Sequence, residues 1–172
     1  MLPSWSTTPG AVTAMPLRQL LARAVDDDAR VPLLLAGRRV GPVAEHPAPA
    51  DGGDLHAVLS VASEAAIASV EQVVDGDGVV HSPDGDLSTR DYLTRATLTR
   101  AFLAHYVAAY LGSTACPLPE ELARPLWELT APDAARWRSL GFFGEAMPLP
   151  DHVSWRDRFL LCAGHPPHPL GH

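Results

Sequence analysis

The sequence has few cysteines and no lysine. Only Cys116 and Cys162 occur in 172 residues, and all 13 basic side chains are arginine. Two cysteines in a chain of this length exclude a disulfide framework and fit a reducing, cytoplasmic setting. No basic run offsets the net charge of -7, so bulk electrostatics would hold the protein to neither nucleic acid nor an anionic membrane. No charged N-terminal region leads into an apolar stretch, and no apolar run approaches the roughly 20 residues that a spanning helix needs. A soluble, unexported protein is expected. A Gly-rich phosphate loop, a Gly-x-Ser-x-Gly elbow and a Cys-x-x-Cys pair are all missing, which removes several nucleotide, hydrolase and redox classes.

What the chain does hold is 47% hydrophobic residues, enough to bury a core in one compact domain. Pro3, Pro9 and Gly10 make residues 1–15 an irregular lead-in, and residues 165–172 read as a flexible tail. Between them, over 16–164, apolar residues recur at helical spacing. Leu17, Leu20, Leu21, Ala24 and Val25, followed by Val31, Leu34 and Leu35, define a first helix that Gly37 stops. Pro32 predicts a kink or an early end near Arg30. Residues 38–53 read as a long exposed connection. Asp54 caps a second helix that ends before the Asp75–Gly78 turn, and Val79 and Val80 open a short extended excursion or a turn. Ser88 stands three residues before Asp91 and caps the longest helix, Tyr92–Leu111. Pro119–Leu129, Pro132–Leu140 and a last helix capped by Ser154 and stopped by Gly164 complete an all-α reading.

Three stretches, taken in order, resemble the DinB-like, mycothiol-dependent maleylpyruvate isomerase superfamily. LRQLLARAVDDDARVPLLLAGRRV (17–40) is similar to the family helix that carries the first metal-binding histidine. SPDGDLSTRDYLTRATLTRAFLAHYVAAYLG (82–112) resembles the helix that supplies a Glu and a His one turn apart. FFGEAMPLPDHVSWRDRFLLCAGHPP (142–167) is similar to the family's closing motif. The resemblance implies an antiparallel four-helix bundle with zinc or nickel between the helices and mycothiol as thiol partner. It also implies that the chain begins at the family's second helix, leaving an apolar stripe that a homodimer would cover; a start lying upstream is the competing explanation.

The ligand positions depart from the family pattern. Arg23 stands where the first histidine belongs and Ala101 where the glutamate belongs, so His105 alone remains of the three. Ala108 replaces the aspartate that often follows. An always-charged guanidinium cannot ligate a metal, so neither metal nor other cofactor is expected. Asp26 to Asp28 could offer oxygens, but an acidic triplet on a helix is usually a solvated face.

The leading reading is therefore a metal-independent enzyme of secondary metabolism, an isomerase, cyclase or thiol transferase acting on a small molecule in an inter-helix cavity. Arg23 would orient an anion and His105 would move a proton, with Asp27, Thr94, Leu98 and Ala101 around the substrate. The blander readings are a core histidine satisfied by one hydrogen bond and a surface Arg23–Asp27 pair. The alternative function is a non-catalytic remnant that binds a ligand or a partner.

Overall fold

The computed structural model describes residues 16–41, 54–83, 85–111 and 118–167. Both the irregular lead-in and most of the long connection expected from composition fall outside these residues. The described chain is mostly helical, with one two-stranded sheet where the sequence reading was all-α. It divides into two compact units, Pro16–Arg100 and the described residues from Ala101 onward.

In the N-terminal unit, α1 (Leu17–Leu35) starts at Pro16, whose fixed φ suits the helix entry and whose carbonyl accepts from the Gln19 and Leu20 amides. Its buried residues include Leu20, Ala24, Asp28, Val31 and Leu34, spaced four, four, three and three apart along one face. Pro32 does not end the helix, contrary to expectation. Burial of Val31 and Leu34 on either side of it outweighs one missing amide donor. Gly37 then turns the chain at φ 74°, and the Arg38 amide reaches back to the Leu33 carbonyl at 3.0 Å, a Schellman closure.

Helix α2 (Leu55–Glu71) is capped by the Asp54 carboxylate, which accepts from the His56 and Ala57 amides. Only Ala62 and Ala66 of this helix are buried. After it come β1 (Val79–Ser82) and β2 (Gly85–Ser88), an antiparallel hairpin pairing Val79 with Ser88 and His81 with Asp86. Four-residue strands are too short to announce themselves by alternation. They are stabilised here by Val80, 2% exposed, which joins Val31, Leu34, Ala66 and Tyr92 in one apolar cluster.

Helix α3 (Thr89–Tyr110) begins where Ser88 Oγ accepts the Asp91 amide at 3.0 Å, as the capping spacing predicted. It runs through the boundary between the two units. The C-terminal unit adds α4 (Glu120–Thr130), α5 (Ala134–Ser139) and α6 (Trp155–Cys162). Ser154 Oγ caps α6 by accepting the Asp157 amide, and Glu120 accepts the Trp155 amide. The core of this unit is aromatic: Phe102 stacks on Phe159 at 5.4 Å and meets Phe143 edge-on at 6.2 Å. Among the described residues no helix is long and apolar enough to cross a membrane.

Candidate functional site

The expected site residues fall in both units. Arg23, Asp27, Thr94 and Leu98 belong to the N-terminal unit, Ala101 and His105 to the C-terminal one. Leu98 and Ala101 are core residues at 0% and 6% exposure.

Asp28 shows best how the N-terminal unit handles charge. The spacing along α1 places it in line with Ala24 and Val31, and it is 6% exposed. A buried carboxylate requires partners. Ser63 Oγ donates to Asp28 Oδ2 at 2.5 Å, and Arg100 Nη2 donates both to the same oxygen and to Ser63 Oγ at 3.1 Å. One closed set of hydrogen bonds thus joins α1, α2 and α3. The acidic triplet is not the solvated face expected of it. Arg100 and Ser63 were missed altogether, because nothing local in the sequence marks a partner 72 or 35 residues away.

Asp27, next to Asp28, has a different environment. Its carboxyl is half-buried and accepts no hydrogen bond from a described residue. Desolvation pushes its pKa above the ordinary aspartate value, opposed by the charges of Arg23, Arg30 and Arg100 and reinforced by Asp26. The same burial lowers the pKa of Arg100, against the supporting charge of Asp27, and drives the Tyr92 phenol up to about 12. Arg23, Arg30 and Arg100 thus stand with Asp26, Asp27 and Asp28 in a partly dehydrated cluster of opposite charges. Groups displaced from their ordinary pKa in this way are what proton transfer and anion binding use.

His105 lies in a different setting. It is 5% exposed, and its Nε2 donates to the Pro166 carbonyl at 3.0 Å. Beside it, Tyr106 Oη and His165 Nδ1 share a 2.6 Å hydrogen bond, and the His165 ring stacks on Phe102 at 4.1 Å. His165, placed in the flexible tail by composition, is a core residue at 0% exposure. Its Nε2 is buried without a partner among the described residues. Desolvation first, and the nearby His105 second, lower its pKa to about 3, so the ring is neutral at ordinary pH. Phe102 and Tyr106 on α3 hold the ring at positions its neighbouring prolines gave no reason to expect.

Among the described residues no group of three His, Cys, Asp or Glu side chains converges as metal ligands would. Cys162 is half-buried and its thiol pKa is raised by burial, opposed by Arg138, which leaves it a poor nucleophile. No family model, curated protein or solved structure matches this chain.

Proposed function

We propose that the chain is a small-molecule enzyme of the DinB-like, mycothiol-dependent isomerase type that works without that family's ion. In this reading the charged cluster of the N-terminal unit receives a carboxylated substrate and carries out an isomerisation or a related cyclisation or thiol transfer. The observation that carries the reading is the contrast between two adjacent aspartates. Asp28 is consumed by Ser63 and Arg100. Asp27, under the charges of three arginines, accepts no hydrogen bond from any described residue and has its proton affinity raised by desolvation. A carboxyl so placed, with its proton affinity raised, suits a general acid or base.

Arg23, one helical turn before Asp27, would orient the substrate carboxylate through charge-assisted hydrogen bonds. Asp27 would take a proton from a carbon beside that carboxylate or a neighbouring carbonyl and return it at another position. For an isomerisation the electrons balance without an external oxidant or co-reactant, and a thiol transfer would take the thiol itself as co-reactant. This reading gives the proton-moving role to Asp27 and not to His105, whose Nε2 hydrogen is already given to the Pro166 carbonyl.

The test is incubation with a panel of unsaturated and keto carboxylic acids in deuterated water, with and without a thiol, followed by proton NMR. Deuterium should enter the substrate with the native protein and fail to enter with Asp27→Asn, while Arg23→Ala should raise the concentration needed. Equal exchange with Asp27→Asn and native protein would overturn the reading.

A second reading, a non-catalytic remnant that binds a partner, is favoured by α2. Val58 and Val61, three residues apart and so on one side of this helix, are both exposed, Val61 by 68%. For a homodimer through this face, sedimentation should show a dilution-sensitive dimer that Val61→Glu dissociates. A monomer at every concentration would end this version.

A further inference from the structure

We propose that residues 165–167, hinged at Gly164, form an acid-released strap over the aromatic core of the C-terminal unit. The inference stands apart from the charged cluster of the N-terminal unit, since every group it uses lies in the C-terminal one.

Two side chains of α3 hold the strap at consecutive residues. Tyr106 Oη shares a 2.6 Å hydrogen bond with His165 Nδ1, and His105 Nε2 donates to the Pro166 carbonyl at 3.0 Å. The His165 amide adds a bond to the Leu160 carbonyl of α6 at 2.8 Å. Pro166 and Pro167 carry no amide hydrogen, so no backbone donor ties the strap down beyond His165. Its attachment to α3 thus runs through two imidazoles. Gly164, at φ 80°, separates the strap from α6, and a glycine can leave that conformation without meeting a Cβ barrier. The helix itself is held by other contacts. The Gly144 amide bonds the Ala163 carbonyl at 2.8 Å, the Met147 amide bonds the Leu161 carbonyl at 2.9 Å, and Phe159 stacks on Phe102. Loss of the strap leaves all three in place.

Acid supplies the reason to leave. The His165 ring is 0% exposed, with one nitrogen on Tyr106 and Nε2 without a partner among the described residues. A second proton would put a cationic N–H with no acceptor into the core, whereas the same ring outside the core meets water. Among the charged and titratable groups on the elements around it, His105 of α3 opposes that proton and Tyr106 of α3 bonds the ring. Cys162 of α6 is half-buried, Arg138 of α5 donates to the Cys162 and Gly144 carbonyls, and Glu145 meets the hinge through its main chain. No carboxylate acts on the ring to hold a proton there. Departure of the strap bares the face of Phe102 on which the ring stacks at 4.1 Å, together with the Tyr106 hydroxyl. Acid thereby converts a sealed core into an aromatic cleft along α3.

The experiment is amide hydrogen exchange of the full-length protein, followed by NMR at pH 7 and pH 5 and corrected for the intrinsic pH dependence of exchange. The His165 amide should exchange through a smaller opening than the Phe102 and Tyr106 amides of α3 at both pH values. Its opening constant should rise about 25-fold from pH 7 to pH 5, the ratio for an imidazole neutral in the closed strap and titrating at 6.5 in the open one. His165→Gln, which takes up no proton, should keep the local opening and lose its pH dependence. An opening constant shared by the His165 and α3 amides would mean that the strap leaves only with the whole fold. A His165 amide whose opening ignores pH would mean that the ring senses nothing. Either result overturns the proposal, and both are read on native protein, so the decision does not depend on the glutamine variant folding.

Discussion

Acidification should weaken this protein before its carboxylates titrate, and His165 sets the size of the effect. Its ring is neutral in the fold with a pKa lowered to about 3, against 6.5 for a histidine in water. The unfolded chain therefore takes up a proton first as pH falls. The neutral ring contributes its full stabilisation above pH 6.5 and loses it progressively from there toward 3. With 1.36 kcal/mol per unit of difference, the loss between neutrality and pH 5 is ~2 kcal/mol. For a chain of this length that lowers the thermal midpoint by roughly 4–8 °C. Scanning calorimetry at pH 7 and pH 5 measures it directly. The control is the double variant His165→Phe with Tyr106→Phe, which removes both ends of the 2.6 Å hydrogen bond and leaves no polar atom stranded. Its midpoint should differ much less between the two pH values. If native protein and double variant lose the same amount, the ring is not buried neutral and the account of this core is wrong.

Gly164 has φ 80°, and a Cβ there would lie 2.7 Å from the Glu145 carbonyl oxygen, whereas Gly37, at φ 74°, opens onto empty space. Gly37→Ala should cost about 1 kcal/mol from the left-handed backbone alone, and Gly164→Ala at least about twice that, measured by denaturant titration. Arg100→Met should destabilise by about 3 kcal/mol or more and exceed Asp28→Leu, because the first strands a nearly sealed carboxylate and the second a guanidinium that water can reach. Comparable losses would mean that Asp28 is better hydrated than its burial implies. Asp27→Asn should raise the thermal midpoint at neutral pH. The raised pKa means the fold prefers the protonated carboxyl, so the ionised form weakens it above that pKa, and the gain should vanish as pH falls through 3.8. A variant less stable at pH 7 would show that the arginines outweigh desolvation.

The helices and their ends were legible because the signals are local. Pro16, Asp54, Ser88, Ser154, Gly37 and Gly164 each act on amides or carbonyls within a few residues, and the structure uses each at the position its type predicts. The hairpin was not, since Val79 and Val80 become strand only through the core that Val80 enters. Asp28 carried a readable signal that charge concealed. It falls four residues after Ala24 and three before Val31, on the stripe and not beside it. An aspartate at an apolar slot predicts a buried cation elsewhere, but which of 13 arginines supplies it is a tertiary question that only the meeting of α1 with α3 answers.

That distinction bears on where function should be sought. A buried charge with every partner in place is explained by the fold it holds, and Asp28 with Ser63 and Arg100 needs no ligand to account for it. A desolvated charge without such partners weakens the fold at neutral pH, which makes it the place to test for function. Asp27 meets that description. His165 Nε2 does too in its lack of a partner, but it is sealed at 0% exposure, where no substrate could reach it without the core opening. Of these two, Asp27, which is only half-buried, is the one a solute can approach. The difference would show in titration followed by NMR: the Asp27 carboxyl signal should respond to pH at native stability, while the His165 ring should respond only to conditions that loosen the aromatic core.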